Sequence, residues 1–224
     1  MAPDELQAWL RLMLTPCVGN HSARKLLAAF GLPTQIFAAS PAALAQTVNT
    51  GLAQALQLVP ATLASTMQTT DAWLQQTDVD GLQRQVLSLG DADYPQSLLQ
   101  MEDPPCLLFT LGDVAALHVD SQQRLAMVGS RNPTPQGAHT ARAFAKHFAD
   151  MGVCIVSGLA HGIDAAAHEG ALASATPWPT IAVVGTGLDR VYPKQNQALA
   201  RQIAQRGLLV SEYPLGTPPL AANF

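Results

Sequence analysis

The sequence predicts an α/β protein in which a doubly wound parallel sheet, with helices on both faces, follows a small all-α domain. Between residues 124 and 224, short apolar segments rich in β-branched residues alternate with segments at helical spacing. This alternation is typical of a parallel sheet covered by helices. Residues 1–70 contain only short segments of helical periodicity. The 224 residues, 48% hydrophobic and 12% charged, are sufficient for a well-packed core.

The N-terminal helices are predicted from their apolar spacing. The segment ELQAWLRLMLTP ends near Pro16, and VGNHSARKLLAAFG follows with a glycine-containing turn and a predicted end at Gly31. Two shorter segments, SPAALAQT and GLAQALQ, complete a SAM-like or helix-hairpin-helix-like domain over residues 1–70. Only Arg24 and Lys25 add charge to the hairpin-like stretch. An ordinary helical bundle for protein contacts is therefore favoured over a phosphate-binding hairpin.

Residues 71–123 are interpreted as a connector that leads into the α/β domain. Two short apolar runs are separated by turn residues in this segment. Leu107 to Leu111 is predicted to be a strand that stops at Gly112-Asp113.

Residues 124–224 are interpreted as the sheet domain. Its four apolar strands are predicted near residues 125–129, 153–157, 180–185 and 208–212. The first helix covers about residues 135–151, with Thr134 as its cap. Its predicted apolar face consists of Ala138, Ala141, Phe144, Ala145 and Phe148. The stretches IDAAAHEGALA and NQALARQIAQR predict two further helices. The alternation of strand and helix gives a doubly wound domain.

The charge distribution and the cysteines indicate which cellular compartment and which classes of partner are compatible with the chain. The net charge of −4 divides into +1 for residues 1–70, −8 for residues 71–123 and +3 for residues 124–224, so that the sheet domain is locally basic within an acidic chain. This local excess of positive charge is compatible with a nucleic-acid partner. The three cysteines lack a pairing or metal-ligand pattern, which indicates a reducing compartment, and no metal or cofactor is expected. No signal peptide or membrane-spanning segment is predicted.

Glycines and small polar residues follow the predicted strands. Carboxyl ends of parallel strands meet at one edge of the sheet, where ligands bind and where glycine allows a ligand to approach the backbone. The sequence therefore predicts an anion-binding edge at this place. Its predicted residues are Gly129, Ser130 and Arg131 after the first strand, Ser157, Gly158, Leu159, Ala160 and Gly162 after the second, and Gly185, Thr186 and Gly187 after the third.

Charged side chains near this edge divide into binding and supporting candidates. Arg131 is predicted to place its guanidinium on a phosphate, and Arg190 and Lys194 are predicted to extend a basic groove. Asp164, His168, Asp189 and Glu212 are expected to support the site. Asp164 and His168, four residues apart, are interpreted as a hydrogen-bonded structural pair, since no nucleophile accompanies them. Glu212 is expected to orient a backbone amide or an arginine, and Tyr192 either stacks a base or packs in a turn.

Five stretches carry a family resemblance in the order in which they occur. MVGSRNPT, IVSGLAHGIDAAAH, TIAVVGTGLDRVYPKQN and LLVSEYPLG, preceded by DADYPQSLLQMEDPPCLLFTLGD, resemble the DNA-processing protein A family (DprA, also called Smf). The resemblance covers about residues 90–224 and implies a Rossmann-like domain. Gln136 stands where the family usually has an aromatic residue. The family also continues beyond Phe224 with an arginine-rich run, so that residues 124–224 are expected to be a C-terminally incomplete domain.

The resemblance implies a function without enzymatic activity. Members of the family are cytoplasmic single-stranded DNA-binding proteins that protect incoming DNA in natural transformation. They help to load the recombinase RecA and act as homodimers. The partners expected for this chain are therefore single-stranded DNA, a RecA-type recombinase and a second copy of the chain, with no membrane and no cofactor.

Three other functions are weighed against DNA binding. A nicotinamide dehydrogenase needs G-x-G-x-x-G, and Arg190 occupies the place of the third glycine. A nucleotide-binding phosphoribohydrolase on a similar Rossmann-like fold is the stronger alternative, although Asp189 stands in a loop that lacks the expected Glu. An interaction scaffold is the third. Release of free base would indicate the hydrolase, and salt-sensitive binding of oligonucleotides would indicate DNA binding.

Overall fold

The computed structural model describes residues 1–77 and 81–223. Residues 78–80 of the expected connector, and Phe224 at the end of the expected sheet domain, lie outside the described residues. The chain divides into two compact units. One comprises Met1–Gln75 and Gln96–Leu107, and the other comprises Gln76–Pro95 and Leu108–Phe224.

The first unit is built from short helices, as predicted for residues 1–70. Ser40 and Asn49 each cap a helix by accepting a hydrogen bond from a main-chain amide, Ala43 N at 3.2 Å and Leu52 N at 2.8 Å. Gly31, at φ +86°, ends the second helix. The side chains of Leu10, Leu26, Ile36, Leu44 and Leu56 are fully buried in its core. The helices are α1 Pro3–Leu14, α2 Asn20–Phe30, α3 Pro33–Ala38, α4 Pro41–Thr47, α5 Thr50–Gln57 and α6 Leu63–Leu74.

The second unit contains a six-stranded mixed sheet. Its strands are β1 Arg84–Ser88, β2 Leu107–Gly112, β3 Arg124–Ala126, β4 Cys154–Ser157, β5 Thr180–Val183 and β6 Leu208–Ser211. The order across the sheet is β1-β2-β6-β5-β4-β3. Strands β3 to β6 are parallel, with Leu125 opposite Ile155 and Ala182 opposite Leu209, which confirms the four predicted parallel strands. Strand β2 confirms the strand predicted in the connector, and it joins the same sheet antiparallel to β6.

Three helices connect the parallel strands: α7 Pro135–Asp150, α8 Ile163–Leu172 and α9 Gln197–Arg206. Thr134 caps α7 as predicted, since its hydroxyl accepts a hydrogen bond from Gly137 N at 3.1 Å. The predicted α/β architecture, preceded by an all-α region, is thereby confirmed. No helix within the two described ranges is long and apolar enough to cross a bilayer.

The interior face of α7 agrees with the prediction at Ala141 and Ala145 and differs from it at Phe144. Alanines 141, 145 and 149 are buried there, and Ala145 and Ala149 pack with Ile155, Ala167 and Ala171 in a core cluster. Phe144, predicted on this face, is 52% exposed and stacks on the half-buried Phe148 with 6.1 Å between ring centroids. The close approach of α8 explains the difference. Gly170 lies against the main chain of Arg142, so that only small side chains fit between the two helices.

Candidate nucleic-acid interface

The loops that follow β3, β4, β5 and β6 form one continuous edge, because the four strands are parallel and in register. Hydrogen bonds join each loop to the next. Ile163 N donates to Ser130 O at 3.1 Å, and Asn196 Nδ2 donates to Leu159 O at 2.9 Å. Ser211 Oγ donates to Thr186 O at 2.7 Å. The structure therefore brings together the residues that the sequence predicted at the strand ends.

The loop after β3 presents its polar residues to solvent. Gly129, Ser130 and Arg131 are all exposed. A Cβ on Gly129 would lie 2.8 Å from Ile163 Cγ1, so that glycine is needed for the loop to pack against α8. Ser130 Oγ accepts a hydrogen bond from Asn132 N at 3.1 Å, which shapes the turn. The Arg131 guanidinium has no hydrogen-bond or ion-pair partner among residues 1–77 and 81–223.

Side chains from inside the protein hold the loop after β4. Ser157 is buried, and its hydroxyl donates to Met127 O at 2.6 Å. Asp164 Oδ2 accepts hydrogen bonds from Gly158 N at 3.1 Å and from Ala160 N at 3.3 Å. Asp164 thus holds the loop, and two of the amides expected to face a ligand are satisfied internally.

Two residues of the same loop have positive φ angles. Leu159, whose side chain is buried, has φ +59°, a conformation that few residues other than glycine adopt. Gly162 has φ +86° and lies so close to Ser130 O that a Cβ would overlap it. The loop is therefore packed tightly against its neighbour after β3.

The loop after β5 requires a correction to the expected site. Gly185, Thr186 and Gly187 were expected to offer amides to a ligand, but all three are buried. The segment that follows β6 folds back over them: Gly187 N donates to Thr217 O at 3.1 Å, and Asn223 Nδ2 donates to Gly185 O at 2.9 Å. The glycines allow this chain segment, rather than a ligand, to approach the backbone.

The charged residues beyond β5 differ in their contacts. Arg190 forms an ion pair with Asp189 Oδ2 at 2.8 Å, and Asp189 Oδ1 accepts a hydrogen bond from Gly216 N at 2.8 Å. Partial burial acts to raise the pKa of Asp189, but the bonds from Arg190 and Gly216 outweigh it and lower the pKa. Lys194 is exposed at the start of a 3₁₀ turn and has no ion-pair partner within the described part of the chain. Tyr192, 46% exposed, lies two residues before it.

Asp164 and His168 do not form the expected pair. Asp164 bonds the loop after β4, whereas His168 Nδ1 lies 2.7 Å from Thr180 Oγ1. The Thr180 hydroxyl donates to Ile155 O at 2.7 Å, so we assign His168 Nδ1–H as the donor to Thr180. Burial lowers the pKa of His168 to about 4, against a weaker opposing effect of the Ser157 backbone.

Glu212 does not orient a backbone amide or an arginine as expected. It makes no hydrogen bond or ion pair with any residue that the structure describes.

Asn196 is a supporting residue that sequence reasoning missed. The residue is 8% exposed, and its side-chain Nδ2 donates to both Leu159 O at 2.9 Å and Ala160 O at 3.2 Å. Asparagine at a helix start usually caps that helix, but at the start of α9 the Asn196 side chain makes no capping bond. The one sequence signal is its position two residues after Lys194, which indicates closeness to the edge but not the bonds that it makes.

The chain is similar in sequence to known DNA processing proteins. The chain is 44% identical over 143 residues to protein Smf of Synechocystis, which covers 62% of this chain and 35% of that protein. It is 42% identical over 137 residues to DNA processing protein DprA of Streptococcus pneumoniae, and this alignment covers 61% of this chain and 46% of that protein. The alignment thus spans about a third to a half of the length of these relatives.

Solved structures agree with the sequence comparisons. The X-ray structure of DNA processing protein A from Streptococcus pneumoniae superposes with a TM-score of 0.73 at 30% identity, over 100% of this chain and 71% of that one. DNA processing protein A from Helicobacter pylori, whose structure was solved to describe its single-stranded DNA binding mode, superposes with a TM-score of 0.55 at 34% identity. This superposition covers 62% of this chain and 61% of that one. A sequence model named DNA recombination-mediator protein A matches residues 85–224. Because this match covers more than half of the chain, the chain belongs to the DNA recombination-mediator protein A family.

Proposed function

We propose that the chain binds single-stranded DNA at the edge formed by the loops after β3, β4 and β5. The observation that carries the proposal is the pair of exposed cations, Arg131 and Lys194, on either side of a loop held rigid from within. Phosphates of a DNA strand are complementary to such fixed positive charges. The proposed contact residues are Gly129, Ser130, Arg131, Gly158, Ala160, Gly162, Arg190 and Lys194.

The charge distribution and a similar structure support this function. The segment 124–224 has a net charge of +3 in a chain whose total is −4, and it includes the proposed contact residues. The Helicobacter pylori protein with a similar fold is described by its single-stranded DNA binding mode. Tyr192 is 46% exposed beside Lys194, where its ring is proposed to stack on a base.

The site is proposed to bind rather than to catalyse. The two side chains suited to acid–base chemistry are committed elsewhere, because Asp164 accepts two loop amides and His168 is buried against Thr180. A phosphoribohydrolase is the alternative, since it uses a similar strand-end geometry. Incubation with nucleoside monophosphates distinguishes the two: release of free base would overturn the binding proposal.

The wider role is also a proposal. By analogy with its family, the chain is proposed to act in the cytoplasm, to protect incoming DNA in natural transformation, and to help load a RecA-type recombinase as a homodimer. Family membership and the similar folds support this role. Light scattering of the purified chain tests the dimer, and RecA filament assembly on single-stranded DNA tests the loading.

Binding is expected to favour single strands over duplex, with little dependence on sequence. The edge consists of loop backbone and isolated cations, and the helices next to it, α7, α8 and α9, pack against the strands of the sheet rather than being presented to a major groove. Fluorescence anisotropy with one labelled strand, alone and annealed to its complement, measures the preference. Equal affinity for the two forms would contradict the proposed recognition mode.

Replacement of Arg131 by alanine is expected to weaken single-stranded DNA binding by about 1–3 kcal/mol, because one charge-assisted contact is lost. The slope of log affinity against log salt is expected to flatten by about 0.7, which is the loss of one phosphate contact on a single strand. A salt titration of both proteins measures the two quantities.

Arg142→Ala is the matched control for this experiment. Arg142 is also exposed, but it pairs with Glu169 between α7 and α8, with Arg142 Nε to Glu169 Oε2 at 3.0 Å, outside the proposed edge. Its replacement is expected to leave DNA affinity unchanged. If Arg131→Ala behaves like this control, Arg131 does not contact DNA.

A further inference from the structure

The Asn196 side chain links the two halves of the proposed DNA-binding edge. Lys194 and Asn196 share one 3₁₀ turn, closed by a hydrogen bond from Asn196 N to Pro193 O at 3.0 Å. From this turn the Asn196 amide reaches Leu159 O and Ala160 O at 2.9 and 3.2 Å. The loop that it holds lies against Ser130 O through Gly162 and Ile163 N. A continuous path of contacts therefore runs from Lys194 to Arg131.

The loop between the two cations has a conformation that needs outside support. Leu159 has φ +59°, a left-handed backbone conformation that is sterically unfavourable for residues with a Cβ. Asp164 holds the amides of Gly158 and Ala160 from one side. Asn196 holds the carbonyls of Leu159 and Ala160 from the other. Together these two side chains bond four main-chain groups of a three-residue stretch.

We propose that Asn196 is a positioning residue, which fixes the distance between Lys194 and Arg131 so that both cations meet phosphates of one DNA strand. The proposal rests on the proposed function of this edge. Asn196 is 8% exposed and directs its amide inward, so that it acts through its neighbours rather than by touching DNA. Binding sites that are held in shape before binding lose less entropy when the ligand arrives.

Replacement of Asn196 by alanine is expected to weaken single-stranded DNA binding about tenfold, because the two cations lose their fixed spacing. The slope of log affinity against log salt is expected to remain that of the unmodified chain, since no phosphate contact is removed. Lys194→Ala, in contrast, is expected to flatten that slope. Gln195→Ala is the matched control, because Gln195 is an exposed amide in the same turn, and it is expected to bind normally.

The double variant tests whether Asn196 acts through Lys194. In a chain that already carries Lys194→Ala, the added Asn196→Ala change is expected to weaken binding less than about threefold, because the cation to be positioned is absent. A full tenfold loss in that background would overturn the proposal. So would a flattened salt slope for Asn196→Ala alone.

Hydrogen exchange of the DNA-free chain separates this inference from the proposed function. In Asn196→Ala, the amides of Gly158 and Ala160 are expected to exchange at least about tenfold faster than in the unmodified chain. The Ile155 amide, which donates to Pro179 O at 2.9 Å, is the internal reference, and its exchange rate is expected to stay the same. Unchanged exchange at Gly158 and Ala160 would overturn the positioning role. If the unmodified chain binds no DNA but exchange accelerates as expected, the proposed function fails and the positioning of the loop stands.

Discussion

Replacement of Gly170 by alanine is expected to lower the free energy of unfolding by about 3 kcal/mol, despite the higher helix propensity of alanine. Gly170 lies in α8 at its contact with α7, where an added Cβ would overlap the carbonyl oxygen of Arg142 and lie 2.9 Å from its Cα. Main-chain atoms of a packed helix cannot move aside as a flexible side chain can. The two helices must therefore separate, and the alanines packed between them lose contact. Thermal unfolding is expected to shift down by about 6–12 °C.

Gly51→Ala is the matched control for this experiment. Gly51 is also helical, in α5, but the nearest atom to an added Cβ is Asn49 Oδ1 at 3.5 Å, an ordinary contact. Its replacement is expected to change stability by less than about 1 kcal/mol, in the stabilising direction. An equal loss in the two variants would show that the approach of α7 and α8 is not what requires glycine at position 170.

The regular parts of the fold were predictable because their signals are local. Apolar runs separated by helical periodicity located the four parallel strands, and Thr134 with Pro135 marked the start of α7. The pairing of β2 with β6 has no such signal, since Thr110 and Val210 are adjacent in space but distant in the chain. A strand's partner depends on the whole topology rather than on its own sequence. The inward position expected for Phe144 failed for a similar reason, because the closeness of α8 is decided at Gly170.

The candidate site was predictable in position but not in its detailed contacts. Glycine after a strand indicates that something approaches the backbone, and at Gly129 and Gly162 this is the neighbouring loop or helix. At Gly185 and Gly187 it is the segment after β6, which the sequence alone could not distinguish from a ligand. Asn196 lies 37 residues from Leu159, and asparagine in a turn usually bonds locally. Its role therefore became visible only when the two loops were placed side by side.

The folded chain is expected to lose about 3 kcal/mol of stability between pH 7 and pH 4 through His168 alone. Burial lowers the pKa of His168 from 6.5 to about 4, because the charged imidazolium would be desolvated beneath the sheet. The unfolded chain then binds the proton more tightly than the folded chain does. This contribution to stability is therefore fully present above pH 6.5 and is lost as the pH falls from 6.5 towards 4. Urea unfolding at several pH values measures it.

His168→Gln isolates this effect from that of the other acids and bases. A glutamine amide can still donate to Thr180 Oγ1, which His168 Nδ1 approaches to 2.7 Å, but it does not titrate. The variant is expected to be less stable at pH 7, because it packs less well in a fully buried site, and its stability is expected to fall less steeply towards pH 4. His139→Gln, on the exposed side of α7, is expected to keep the pH dependence of the unmodified chain. If His168→Gln keeps the full dependence as well, the imidazole is protonated as readily inside the fold as outside it, and burial does not control its charge.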